Sequence, residues 1–229
     1  MRHVIDCNQC GIHSACFTSK FTDAERQALQ PFITRKTIHR GDALVEEGAV
    51  SDAVRTVKLG RVFSYRRGLD GRRRPVGMAG RAASFGLFGV FGQKTPVSVV
   101  AASTSRVCEI PVALLRDLAE RNPALTHYLG LRAAEACSNM AAWSEAMRLR
   151  GVGNQLAYSL LLLADTEGLP VIELPSHVAL AELLGTSRET VARSLALLEK
   201  EGGIRRLERK KCEVYRSALL SRLAKAEAN

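Results

Sequence analysis

Four cysteines are the residues of this chain whose type and spacing most clearly permit chemistry. Cys7, Cys10 and Cys16 stand in the arrangement C-x2-C-x5-C, and Cys108 follows about ninety residues later. Thiolate sulfur is a soft ligand that holds iron in iron-sulfur clusters, and a fold can supply the fourth thiolate from a distant segment. These four residues are therefore candidate ligands of an iron-sulfur cluster.

The same thiols have other interpretations that remain open. Four thiolates also form structural zinc sites, two thiols can form a redox disulfide, and isolated thiols often have no chemical role. Common zinc motifs pair two short knuckles, whereas five residues separate Cys10 from Cys16. This spacing favours a cluster over zinc.

No pattern in the chain indicates a membrane or a secretion route. The sequence has no run of about eighteen apolar residues, and its start, MRHVIDCNQC, lacks the apolar core of a signal peptide. We expect a soluble, cytoplasmic protein with no membrane partner. Because the cytoplasm keeps thiols reduced, six cysteines favour metal or redox chemistry over a disulfide framework.

Length and charge limit the architecture and the partners. A chain of 229 residues, 46% of them hydrophobic, can bury a core and is expected to form two modest domains. Its net charge of +10 suggests an anionic partner. From Gly151 onward, however, 11 Lys and Arg stand against 10 Asp and Glu, so net charge does not locate a DNA site.

Local patterns predict the elements that must position the cysteines. Thr22-Asp-Ala-Glu25 is a capping box that predicts a helix over Asp23 to Leu29. Short β-type runs separated by glycine then predict a small antiparallel roll or barrel. The predicted strands are Ile38 to Leu44, Val54 to Leu59, Val62 to Tyr65, Val97 to Ala102 and Val107 to Ile110.

A long helix is predicted after the roll and a helical stretch over 112–120. Asn122 suits an N-cap and Pro123 a first helical residue, and the helix is expected to run to about Leu149. One stripe alternates spacings of four and three, as at a coiled-coil dimer seam. Its members are Ala133, Cys137, Met140, Ser144 and Met147. Packing of this stripe on the roll is the alternative, and Cys137 is expected to be a buried free thiol.

The last third of the chain has a helix-turn-helix pattern. A short amphipathic helix over Ser176 to Gly185 precedes a second helix over Thr186 to Gly202, and the second helix of such a pair enters the DNA major groove. Val191, Leu195 and Leu198 recur at helical spacing and should face the core. Arginine can bond guanine, and glutamate can accept from cytosine. The expected base-reading residues are Ser187, Arg188, Glu189, Ala192 and Arg193.

Two β-type runs after this helix flank the basic turn Glu208-Arg-Lys-Lys211, which resembles the wing of a winged helix. Arg209, Lys210 and Lys211 should contact phosphate and give salt-dependent affinity. Simpler interpretations remain for these charges. Glu189 stands three residues after Thr186 and could complete a capping box, and Arg193 and the wing residues could be ordinary solvated charges.

Over nearly its whole length the chain resembles the catabolite activator/fumarate-nitrate reductase regulator superfamily of bacterial transcription factors. Its closest resemblance is to the oxygen-sensing fumarate and nitrate reduction regulators. The matching segments are Cys7-Asn-Gln-Cys10-Gly-Ile-His-Ser-Ala-Cys16, Ile38-His-Arg-Gly41, Gly60-Arg-Val62, Val107-Cys108-Glu-Ile-Pro111 and Ser187-Arg-Glu-Thr-Val-Ala-Arg193.

The resemblance implies an α+β fold and a regulator rather than an enzyme. It implies a cysteine arm over 1–18, an antiparallel β-roll of the cyclic-nucleotide-binding type over 19–121, a dimerisation helix over 122–150 and a winged helix-turn-helix over 151–229. In that family the four matching cysteines bind a [4Fe-4S] cluster that supports a DNA-binding homodimer until oxygen converts it, and RNA polymerase is a partner. A heme- or thiol-based regulator of the same superfamily is the alternative.

The chain departs from its relatives at several positions. Gly86-Leu87 and Val97-Ser98 replace the family's Gly-Glu and Arg-Ser/Thr pairs, so we expect no cyclic nucleotide binding. Arg188-Glu189 with Ala192-Arg193 resembles the catabolite activator more than the oxygen regulator and predicts a TGTGA-like half-site, with TTGAT as second choice. The predicted hairpin tip, residues 66–74, holds five arginines, which suggests phosphate, an acidic partner or a merely solvated loop.

Overall fold

The computed structural model describes residues 7–208 and 210–227 and has the expected α+β fold. Its helices are α1 (Asp23–Leu29), α2 (Val112–Arg121), α3 (Pro123–Arg148), α4 (Val152–Glu167), α5 (His177–Leu184), α6 (Arg188–Lys200) and α7 (Arg216–Glu227). Its strands are β1 (Thr34–Ile38), β2 (Ala43–Val45), β3 (Ala53–Leu59), β4 (Val62–Arg67), β5 (Arg73–Ala79), β6 (Ser84–Phe85), β7 (Ser98–Ala101), β8 (Ser105–Pro111), β9 (Val171–Glu173), β10 (Ile204–Glu208) and β11 (Lys211–Val214).

The β-roll consists of two antiparallel sheets in the described residues, in the strand orders β1-β8-β3-β6 and β2-β7-β4-β5. Apolar strand residues of both sheets are buried, as at Val57 and Val99, which have no exposed surface. Val54 on the other face of β3 is equally buried and belongs to the core cluster that includes Phe17 and Leu115. The predicted antiparallel roll is therefore confirmed.

One predicted strand is wrong, because a turn divides Ile38 to Leu44. The backbone N–H of His39 donates to Asp42 Oδ2 at 2.7 Å, and Gly41 adopts a φ of +96°, which glycine tolerates best. The chain therefore leaves β1 in one sheet and enters β2 in the other. Strands β5 and β6 were not among the predicted runs.

Helices α1 and α3 begin where their capping residues in the sequence predict. The capping box of α1 is present, with Thr22 accepting from the N–H of Glu25 and Glu25 accepting from the N–H of Thr22. Asn122 Oδ1 accepts from the N–H groups of Ala124 at 3.0 Å and Leu125 at 3.3 Å, so the predicted N-cap of α3 is confirmed.

The chain divides into two compact units, which in the described residues comprise 7–74 with 79–137, and 75–78 with 138–227. In the second unit α4 forms the core, since Leu156, Leu160 and Leu163 are fully buried. A three-stranded sheet in the order β10-β11-β9 completes it within the described range. Across 7–208 and 210–227, no helix is long and apolar enough to cross a membrane.

Candidate metal centre and nucleic-acid interface

The four predicted cysteine ligands line one cavity. It has about 400 Å³ of empty volume, including open solvent at its mouth. The other lining residues are mostly apolar: Ile12, His13, Phe17, Thr18, Ile33, Thr56 and Ile110. The fold thus brings Cys108 to the cysteines of the arm.

The arm presents its cysteines through a three-residue repeat. Backbone N–H groups bond carbonyls three residues earlier, from Cys10 to Cys7 at 3.2 Å, from His13 to Cys10 at 2.8 Å and from Cys16 to His13 at 3.1 Å. Side chains three apart in such 3-10-like turns lie on the same side. Cys7, Cys10, His13 and Cys16 therefore all face the cavity.

Strand β8 supplies the fourth thiol from the middle of a sheet. Cys108 lies between Arg35 of β1 and Thr56 of β3 in the antiparallel register. The next residue, Glu109, points to the opposite face and pairs with Arg55 at 2.7 Å and Lys36 at 2.6 Å. These partly buried ion pairs join β8 to both neighbouring strands and hold Cys108 in its position in the sheet.

Interactions within the first unit hold the arm on the roll. Phe17 and Phe21 are almost fully buried and pack edge to face, with ring centroids 5.6 Å apart. The Tyr128 hydroxyl donates to the carbonyl of Phe17 at 2.8 Å, and Arg81 donates to the carbonyl of Gly11. The arm is therefore attached to the roll at Gly11 and to the first turns of α3 at Phe17.

The thiols of this cavity influence one another. Burial and the neighbouring thiols of Cys16, Cys108 and Cys10 raise the pKa of Cys7 to about 11, against a lowering effect of Lys58. Burial also raises the pKa of Cys108, and Lys58 opposes it. Cys7 and Cys108 therefore favour the protonated state, and metal binding at these two thiols would release protons.

The four cysteines share a cavity. Within the described residues, no group of three or more His, Cys, Asp or Glu side chains is placed so that it could hold a metal ion. A tetrahedral zinc site with Zn–S bonds of about 2.3 Å requires sulfurs within about 4 Å of one another. A cluster instead gives each thiolate its own iron and accepts ligands that stand further apart.

His13 is a further polar residue of this cavity, and it is not part of the C-x2-C-x5-C motif. Its Nδ1 is buried and has no hydrogen-bond partner in the described part of the chain. A count at every third residue, which gives C-x2-C-x2-H-x2-C, would have included it. Two other polar groups of the lining are bonded: Thr18 Oγ1 donates to Cys16 Sγ at 3.3 Å, and Thr56 Oγ1 lies 2.9 Å from Ser84 Oγ.

Helices α5 and α6 form the predicted helix-turn-helix. Gly185 ends α5 with a φ of +60°, and the Ser187 hydroxyl caps α6 by accepting from the N–H of Thr190 at 3.1 Å. The predicted core residues of α6 are fully buried: Val191, Leu195 and Leu198. On the other side Arg188 and Arg193 are exposed and Ala192 is half-buried.

The capping-box interpretation of Glu189 with Thr186 is wrong, because Ser187 is the N-cap and Glu189 is the second helical residue. Hydrogen bonds from its own backbone N–H and from Ser187 lower the pKa of Glu189, and its carboxylate is exposed. It is therefore charged at neutral pH and available as an acceptor.

The predicted wing is the hairpin β10–β11. Lys210 and Lys211 are exposed, and Lys211 Nζ pairs with Glu208 at 3.0 Å. Arg209 lies outside the described residues. Arg206 bonds Glu199 through its backbone N–H at 2.9 Å and its Nε at 2.8 Å, so the end of α6 and the wing are joined.

The proposed dimer stripe on α3 lacks fully buried residues. Ala133, Met140 and Met147 are half-buried, while Cys137 and Ser144 are exposed. Cys137, which was expected to be a buried free thiol, is exposed in the single chain. The stripe is thus open to a partner.

The arginine-rich tip between β4 and β5 is partly neutralised within the first unit. Arg66 pairs with Glu47 at 3.4 Å, Arg73 with Glu46 at 3.2 Å and Arg74 with Asp70 at 2.6 Å. The exposed positive charge of the tip is therefore smaller than the number of its arginines suggests.

Comparisons with known proteins agree with this architecture. A family model described as "Cyclic nucleotide-binding domain" matches residues 35–122, and one described as "Crp-like helix-turn-helix domain" matches residues 154–223. The solved structure of FixK2 from Bradyrhizobium japonicum has a TM-score of 0.64 at 22% identity and covers 82% of this chain and 96% of that one, which shows the fold.

The chain is similar to two curated relatives of different kinds. The "Cyclic AMP receptor protein" of Thermus thermophilus is 29% identical over 84% of this chain and 89% of its own length. The "Fumarate and nitrate reduction regulatory protein" of Vibrio cholerae is 28% identical over 53% of this chain and 49% of its own length, so that match spans about half of each protein. With a matching cyclic-nucleotide-binding-type β-roll and a matching Crp-like helix-turn-helix, the chain belongs to the Crp/Fnr superfamily of transcription regulators, which are not enzymes, bind DNA and typically act as dimers.

Proposed function

We propose that the chain is an oxygen-responsive transcription regulator in which Cys7, Cys10, Cys16 and Cys108 bind a [4Fe-4S] cluster. The observation that carries this proposal is that three thiols of the arm and a fourth from β8, distant in sequence, line one mostly apolar cavity. The donor set fits the group, because thiolates are the soft ligands that hold the irons of iron-sulfur clusters. The partial match to fumarate and nitrate reduction regulators supports the same assignment.

Binding at these thiols would act through the arm. Ligation joins the arm to β8 only in the assembled state, and the arm in turn contacts α3 through Phe17 and Tyr128. A group that binds one state better shifts the population toward it, and a shift from mostly inactive to mostly active needs about 5.5 kcal/mol. The bound group supplies the sensitivity to oxygen, and the chain's residues supply the link to the long helix.

The functional homodimer would bind a palindromic DNA site. The exposed face of α6 would read bases through Ser187, Arg188, Glu189, Ala192 and Arg193, and the wing lysines Lys210 and Lys211, with Arg209, would contact phosphate. The stripe of Ala133, Cys137, Met140, Ser144 and Met147 would form the dimer interface. RNA polymerase would be the partner through which the bound dimer controls transcription.

We further infer that a cyclic nucleotide is not the effector. Leu87 is buried in the core, and Ser98 Oγ already accepts from the N–H of Glu47 at 3.0 Å and donates to Glu46 at 3.2 Å. The charged pair that holds ribose and phosphate in the superfamily is absent from these positions. Calorimetric titration with cyclic AMP should give no heat of binding at millimolar nucleotide, and saturable micromolar binding would contradict this inference.

The decisive experiment is an iron and sulfide count on protein purified without air. Wild type should contain about four of each per chain, and Cys108→Ser should lose most of both. Cys212→Ala is the matched control, because Cys212 lies on β11 in the second unit and does not line the cavity. Heme, zinc or an unchanged iron content in Cys108→Ser would overturn the proposal.

A further inference from the structure

His13 lines the thiol cavity. Because four thiolates already supply the proposed ligands, ligation of the cluster assigns no role to His13. It lies midway between Cys10 and Cys16, and the three-residue repeat of the arm turns all three side chains to the same side. Its own backbone bonds are part of that repeat. The position of the imidazole is therefore set by the same turns that present the thiols.

The imidazole has an unused polar atom. Nδ1 is buried and lacks a hydrogen-bond partner across residues 7–208 and 210–227. Its apolar neighbours in the lining, Ile12, Ile33 and Ile110, offer no acceptor. Buried polar atoms in native proteins almost always have a partner, and an orphan often marks a missing ion, water or ligand.

We propose that His13 donates a hydrogen bond from Nδ1 to a sulfur of the bound iron-sulfur cluster. This inference rests on the proposed function. Hydrogen bonds to cluster sulfurs stabilise the more reduced, more negative state and raise the reduction potential. His13 thus tunes the potential of the cluster, while the four cysteines hold its irons.

The test is the midpoint potential of the cluster, measured by spectroelectrochemistry under nitrogen together with iron and sulfide content. His13→Phe removes the donor and should lower the potential with iron and sulfide unchanged. His13→Asn places an amide N–H near the position of Nδ1 and should keep the potential close to that of wild type. His39→Phe is the matched control, because His39 is an exposed histidine of the β1–β2 turn and does not line the cavity.

Each outcome decides the proposal. An unchanged potential in His13→Phe overturns the hydrogen bond and leaves the proposed function standing. Loss of iron from both His13→Phe and His13→Asn, to the extent seen in Cys108→Ser, would make His13 a ligand and also overturns it. Wild type without iron or sulfide overturns the proposed function and this inference together.

Discussion

Glu25 joins the starts of two helices through one carboxylate. Its Oε2 accepts from the N–H of Thr22 at 2.7 Å in the capping box, and its Oε1 accepts from Asn122 Nδ2 at 2.6 Å. Burial acts to raise the pKa of Glu25, but the hydrogen bonds from Thr22 and Asn122 outweigh it and lower the pKa below its usual 4.5. The ionised form is therefore the one that stabilises the fold.

Glu25→Gln should lower the free energy of unfolding by about 1 kcal/mol near neutral pH. Because the folded pKa is depressed, the contribution of the carboxylate is complete above the unfolded pKa and disappears as pH falls through the folded pKa. Urea unfolding at neutral and acidic pH should show the difference from wild type shrinking with acidity. Thr22→Ser keeps the cap and is the control, and a difference that is independent of pH would contradict this account.

Arg188 is the exposed first residue of α6, where a recognition helix meets base edges. Arg188→Ala should cost about 1–3 kcal/mol for a TGTGA-like half-site and relax specificity at the guanine it contacts. Selection of bound sequences from a random pool, followed by titration, measures both effects. Arg216→Ala is the control, because Arg216 lies on α7 and pairs with Asp165. A wild-type preference for TTGAT would show that Arg188 reads no base.

Among the elements, those set by local chemistry were predictable from the sequence. The capping box at Thr22, the N-cap at Asn122 and the apolar face of α6 depend on residues within a few positions of one another. The division of Ile38 to Leu44 also has a local signal, Gly41-Asp42, which the predicted strand did not take into account. The turn there is defined by the bond from His39 to Asp42 and by the separate partners of β1 and β2, which are distant in sequence.

The candidate site shows the same limit at the level of its elements. Residue type and spacing were sufficient to select Cys7, Cys10, Cys16 and Cys108. The apolar residues that line the cavity come from separate elements, and the sequence does not show that these elements meet. Within the predicted winged domain, the sequence patterns also did not predict α4, which forms the core of the second unit. His13 was not selected as a site residue, because the repeat of the arm is a 3-10 pattern rather than a cysteine pattern.

The wing hairpin β10–β11 should contribute affinity but little specificity. Lys210 is exposed at the turn, whereas Lys211 is held by Glu208 in the free chain and must exchange that partner for phosphate. Lys210→Ala should weaken binding equally for specific and random DNA and reduce the slope of log K against log salt by about 0.9 for each chain of the bound homodimer. Binding measured over a range of salt tests this expectation. Lys225→Ala on α7 is the control, and a sequence-dependent loss would contradict a pure phosphate contact.

At the scale of the whole molecule, regulation requires that occupation of the thiol cavity changes dimerisation or DNA binding. The link from Phe17 to Tyr128 connects the arm to the first turns of α3, so the sensor contacts the element expected to dimerise. The effect of the cluster on dimerisation depends on the repulsion that opposes association of two chains when the cluster is absent. Two carboxylates about 4 Å apart repel by about 1 kcal/mol in water and by more in less polar surroundings.

The seam of α3 lacks such a repulsion, because its five residues are uncharged and Met140 stands near its centre. We therefore expect the protein to remain dimeric when the cluster is lost, so that oxygen would act on the conformation of the dimer more than on its assembly. Sedimentation of the same sample before and after removal of iron should give one unchanged mass. Met140→Asp should dissociate into monomers without cluster, whereas Met140→Leu should behave as wild type. A clean change from dimer to monomer in wild type on loss of iron would refute this expectation and show that the cluster itself holds the two chains together.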